Sequence, residues 1–211
     1  EYYLAEINLK AGDFNLLILH TDNALKLLLS GRESKHPLAP RIYNYKASLM
    51  HFSGKPDSAN FYFEKALSTI SGAEKTPENL YYLPGVIYGN WFLVKQSAGD
   101  LDAAMELTLK CIKYYNSFLF EAPNHMLAQK VHGNLSIAYR NLGSLYNDLG
   151  YKEKAKQAAT IGYIHAKNYF LPNTISFFSA ALMMGEAYLY SNELEMARKY
   201  LLEAESSLTS I

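Results

Sequence analysis

Towards the C-terminus, apolar and small residues recur at alternating steps of three and four. From Leu194 they fall at Ala197, Leu201, Ala204 and Leu208. The same spacing joins Ala155, Ala158, Ala159, Gly162 and Ala166, and Leu135, Ala138, Leu142, Leu145 and Leu149. This is the period of one buried helical face. No alternating strand pattern with hairpin turns competes with it. Small residues also follow a recurring turn. Gly12 precedes Leu17, Thr21 and Ala24; Gly54 precedes Ala59, Phe63 and Ala66; Gly99 precedes Ala104 and Cys111. Gly150 and Asn192 open the last two such stretches. Gly is favoured after a helix end because it adopts positive φ without strain, and Asn is the next best residue.

The turns at Gly12, Gly54, Gly99, Gly150 and Asn192 are spaced by 42, 45, 51 and 42 residues. Between them lie breaks at His36-Pro37 to Pro40, Thr76-Pro77-Glu78, Ala122-Pro123-Asn124 and Leu171-Pro172-Asn173-Thr174. Proline is tolerated in the first turn of a helix and disfavours helix just before it. The pattern predicts an all-α chain of about ten helices in five antiparallel pairs. One pair cannot bury its apolar face alone, so the pairs are expected to stack as one domain over residues 1–211, a superhelical solenoid.

The unit Leu142-Gly143, Tyr146, Gly150, Ala155, Ala159 and Gly162 resembles the tetratricopeptide repeat. The unit around Asn192, with Gly185, Tyr188, Ala197, Leu201 and Ala204, is similar to it. The resemblance weakens towards Gly12, Gly54 and Gly99, and early in the units Tyr43, Tyr88 or Tyr139 stands for the usual Trp. The spacing also exceeds the family's period of about 34 residues. Long, uneven units resemble those of bacterial regulators and sensor proteins.

The family resemblance implies a right-handed superhelical solenoid, with a concave groove lined by the first helix of each pair. By spacing from each turn, it assigns to that groove Glu6; Arg41, Asn44, Ser48 and His51; Leu93 and Gln96; Arg140, Ser144 and Asn147; and Leu182, Glu186 and Leu189. Amide side chains can donate to and accept from a peptide backbone, and Arg can hold a carboxylate with two bonds. A protein or peptide ligand, or another segment of the same protein, is the expected occupant. The implied role is the interaction or sensor module of a larger bacterial signalling or transcription-regulatory protein. A structural assembly adaptor and a small-molecule domain with an aromatic pocket around Trp91 are the alternatives. The ends, Glu1-Tyr2-Tyr3-Leu4 and Leu208 to Ile211, carry no obvious capping helix, which suggests a fragment of a longer chain.

Composition sharpens this picture. Apolar residues make up 49% of the 211, enough for a sizeable core, and 18 tyrosines argue against disorder. Twenty basic and twenty acidic residues cancel, so nothing points to direct nucleic-acid binding or a charged membrane surface. No apolar stretch reaches the roughly 20 residues that span a bilayer. Cys111 is the single cysteine, which excludes an internal disulfide and fits a reducing compartment such as the cytoplasm. The periplasm is the alternative if the parent protein is membrane-anchored.

No pattern of an enzyme is present: no phosphate loop after a strand, and no nucleophile elbow. No cofactor is expected. His125 and His132 lie seven apart and could share a helical face, but no carboxylate or cysteine completes a metal set, so a structural role is favoured for both. Cys111 is read as a buried, inert thiol. Most of the aromatic concentration Tyr81-Tyr82, Tyr88, Trp91-Phe92, Tyr114-Tyr115, Phe118 and Phe120 is expected in the core.

Overall fold

The structure, a computed structural model, describes residues 1–31 and 36–208, except for the side chains of Leu9 and Lys10. The expected end residue Ile211 lies outside the described residues. The described residues form helices and no strand. In chain order they are α1 (Tyr2–Ala11), α2 (Phe14–Leu29), α3 (Ala39–Phe52), α4 (Pro56–Ile70), α5 (Leu83–Ser97), α6 (Leu101–Glu121), α7 (Ala128–Asp148), α8 (Lys152–Tyr169), α9 (Ile175–Tyr190) and α10 (Leu194–Leu208). A π-helical turn, Glu78–Tyr82, leads directly into α5. The chain forms two compact units, Glu1–Ala104 and Met105–Ile211.

All five expected turns are present. Gly12, Gly54, Gly99 and Gly150 have φ between 70 and 76°, and Asn192 is the one non-Gly residue at positive φ among those described. After each, the next amide donates to the carbonyl five residues back: Asp13 to Asn8, Lys55 to Met50, Asp100 to Lys95, Tyr151 to Tyr146 and Glu193 to Tyr188. This is the Schellman closure, which satisfies carbonyls the helix end leaves over. The following helix then starts at once. Asp13 accepts from the Leu16 amide at 3.1 Å, and Asp100 from that of Ala103 at 3.2 Å. Pro56 opens α4 at a position where its missing N–H costs nothing.

In the first unit, α1 packs on α2 and α3 on α4, and α3 also touches α2 and α5. Its core joins Leu25, Leu28, Tyr43, Ala47, Ala59, Phe63, Leu83 and Ile87. In the second unit, α7 pairs with α8 and α9 with α10, and α9 also packs on α7 and α8. Small residues set the closeness of these contacts. A Cβ on Gly162 would stand 3.0 Å from Met183 Cε and 3.2 Å from the Ser136 carbonyl oxygen. The expected stripes are buried along their length but not at their ends: Leu149 and Leu208 are exposed, because the helix has turned or finished there.

The aromatics divide similarly. Tyr82, Phe92, Tyr115 and Phe118 are buried, whereas Phe120, at the end of α6, is 82% exposed. Trp91 stacks on Phe63 with centroids 5.8 Å apart, and its indole N–H donates to Asn60 Oδ1 at 2.6 Å. Cys111 is buried, and burial pushes its thiol up to about 12, so it stays protonated. No helix among the described residues is long and apolar enough to cross a membrane.

Candidate functional site

The residues assigned to the first-helix face differ in accessibility and partners. In the first unit they are largely engaged. Arg41, on α3, donates from Nη2 to Glu78 Oε1 on the π-helical turn. It also lies beside Tyr2 of α1. Burial raises the Tyr2 hydroxyl's pKa, and the Arg41 guanidinium partly offsets that. Asn44 is only 5% exposed, and its Oδ1 accepts from Asn90 Nδ2 of α5 at 3.1 Å. Ser48 donates to the Asn44 carbonyl oxygen at 3.1 Å, and the His51 ring leans on Phe52. Gln96 is exposed near the end of α5.

In the second unit the face is more open. Arg140, Ser144 and Glu186 are exposed, and among the described residues none has a hydrogen-bond or ion-pair partner. Asn147 shares Arg140's stripe but not its exposure: its Oδ1 is buried and has no hydrogen-bond partner in the structure. Arg140 lies at a cleft between α7 and α9 with room of about 130 Å³. Ser136, Ser176 and Ser179 line it together with Ile137, Ile175 and Ala180, and its wall is mostly apolar. Ile137 and Ile175 are themselves exposed. A cation, hydroxyls that donate or accept, and aliphatic surface together suit an extended chain carrying a carboxylate.

Spacing from the turns did not identify four of the residues that define these faces. Glu78 and Asn90 lie 37 and 46 residues from their partners, so no local period connects them. Ser176 and Ser179 follow Thr174, which caps α9 by accepting from the Phe177 amide at 3.3 Å. The Pro172-Asn173-Thr174 break marked the start of that helix, but only the packing of α9 on α7 brings its first serines to the cleft beside Arg140.

The histidines also sort differently from their spacing. His125 does not join His132. It lies edge-on to Phe118, and its Nδ1 accepts from the Leu127 amide at 3.2 Å. His132, on α7, meets His165, on α8, with Nδ1 atoms 3.0 Å apart. One ring must donate and the other accept. Tyr169 stacks on His132 at 3.4 Å, and Tyr139 stacks on His165 at 6.0 Å. Burial, then the charge of His165, lowers His132 to about 4; burial also lowers His165. Both rings are therefore neutral at pH 7. No group of three or more metal-ligating residues occurs among those described.

Comparisons with known proteins follow this architecture. Residues 137–160, the second half of α7 and the first half of α8, match the tetratricopeptide repeat family. The chain is similar in structure to BtubC (BKLC) from P. vanneervenii, with a TM-score of 0.72 at 19% identity over 98% of this chain and 78% of that one. A putative kinesin light chain from Podosopora anserina, with nearly identical TPR-like repeats, gives a TM-score of 0.68 at 13% identity, covering 99% and 93% of the two chains. MamA gives 0.59 at 17% identity, covering 98% and 95%. No curated protein matches the sequence. At these identities the structural likeness establishes the fold: a helical repeat of the tetratricopeptide kind.

Proposed function

We propose that this tetratricopeptide-type chain is a non-catalytic scaffold that binds a protein or peptide partner along the first helices of its pairs. In the second unit, the partner's anchor is the cleft between α7 and α9. The observation that carries this reading is Arg140: an exposed residue with no partner among the described residues, at a cleft that three serines and two exposed isoleucines help to line. An extended peptide would place a carboxylate on Arg140, backbone groups on the hydroxyls and an aliphatic side chain on Ile137 and Ile175. The broader role is that of an interaction or sensor module in a larger bacterial signalling or transcription-regulatory protein. The long and uneven spacing of the turns, 42 to 51 residues, supports that part.

An array of short synthetic peptides, acidic and neutral, tests the anchor. Acidic peptides should bind the purified chain, and Arg140→Glu should abolish that binding without moving the thermal unfolding midpoint. Retention of acidic peptides by the folded variant would show that the anchor lies elsewhere.

A further inference from the structure

The contact between His132 and His165 does more than join two helices. Two imidazole nitrogens, 33 residues apart in sequence, face each other at 3.0 Å from separate helices. Each ring carries its own aromatic neighbour, Tyr169 or Tyr139, which restricts its orientation. Both residues are only half-buried. Both are also neutral at pH 7, the state in which an imidazole binds metal.

We propose that His132 and His165 form a two-imidazole site for a divalent d-block cation, with Cu(II) preferred, bound through the two Nδ1 atoms between α7 and α8. The separation is compatible with two neighbouring positions on one ion. Metal–nitrogen bonds of about 2.0–2.1 Å spanning 3.0 Å subtend about 95° at the ion, the angle between neighbouring positions of a tetragonal site. Copper also heads the affinity order of the divalent first-row ions on nitrogen ligands. To bind one ion, each lone pair swings by about 40–45° from the hydrogen-bonded line to a common point, with Tyr139 and Tyr169 adjusting beside the rings. The ring that donates in the free pair shifts its proton from Nδ1 to Nε2 by exchange with water. Both imidazoles remain neutral, and at pH 7 no net proton leaves. Water fills the remaining positions.

Titration of the purified chain with Cu(II) at pH 7, followed by electron paramagnetic resonance and by competition with a chelator of known affinity, tests the site. One equivalent should show two nitrogen donors. His132→Asn and His165→Asn should each weaken that equivalent by about 100-fold, the order of gain that a second tethered ligand provides. His36→Asn should leave it unchanged. Should either variant disturb packing, Zn(II) added to the wild-type chain should still shift the imidazole Nδ1 resonances of His132 and His165. Unchanged affinity in both variants, or shifts confined to other histidines, would overturn the proposal.

Discussion

The first-helix faces of the two units use similar residue types for opposite ends. In the first unit, Arg41 is tied to Glu78 and Asn44 to Asn90, so the polar groups hold neighbouring elements together. In the second, Arg140, Ser144 and Glu186 are exposed without partners among the described residues. A guanidinium already paired with a carboxylate has little left to offer a ligand. One without a partner, beside a cleft, has its full hydrogen-bonding capacity available. The contrast separates residues that position the scaffold from residues that can recognise something else.

Charge reversal at the two arginines is the sharpest way to break this comparison. Arg140→Glu should weaken acidic peptides at least about 30-fold, an anchor loss of ~2 kcal/mol, with unfolding unchanged. Arg41→Glu should do the reverse. It places a second carboxylate against Glu78 and should cost the first unit about 1–2 kcal/mol in urea unfolding, the half-exposed setting limiting the loss. Equal binding losses in both variants would erase the distinction.

The amide pair gives a subtler test. Asn44→Leu alone should cost about 1–2 kcal/mol, because it leaves the Asn90 carboxamide without its acceptor. Adding Asn90→Leu should cost less than the two single changes summed, and a double-mutant cycle in urea measures the difference. Strict additivity would mean that the bond contributes nothing.

Acid should act on the second unit through its histidine pair. His132 in the folded state is lowered to about 4, below the ordinary value near 6.5. The stability it contributes is present above about pH 6.5 and is lost as pH falls towards 4, because the unfolded chain takes up the proton first. Discounted for solvent access, the loss should be on the order of 1 kcal/mol. Amide exchange across α7 and α8, followed with a chelator present, should accelerate over that window, and His132→Asn should flatten the response. The smallest expected effect is at a turn. Asn192→Gly relieves a side chain at φ 60° and should change stability by no more than about 0.5 kcal/mol, measured by thermal unfolding.

The turns were the most legible feature of the chain. Their chemistry is local: a positive-φ residue, a helix ending before it and another beginning after it. The buried alanines were legible for a related reason, since a helical period places them on one face. Ala59, Ala66 and Ala159, all fully buried, stand where the pattern put them. The π-helical turn left no comparable signal, because Glu78 to Tyr82 reads like any polar-to-aromatic helix start.

The candidate site was legible only in part. Spacing from the turns placed Arg140 and Asn147 on one stripe, yet packing exposes the first and buries the carboxamide oxygen of the second. A separation of seven residues allowed His125 and His132 to share a helical face, whereas the approach of α8 to α7 gives His132 a different neighbour, His165. By itself the sequence determined where this chain bends and which helical faces are apolar, because those properties depend on backbone geometry and on residues a few positions apart. Only the tertiary structure decided which arginine is engaged, which serines gather at Arg140 and which histidines meet. Those outcomes depend on residues about thirty to fifty positions apart, brought together by helix packing that no local period encodes.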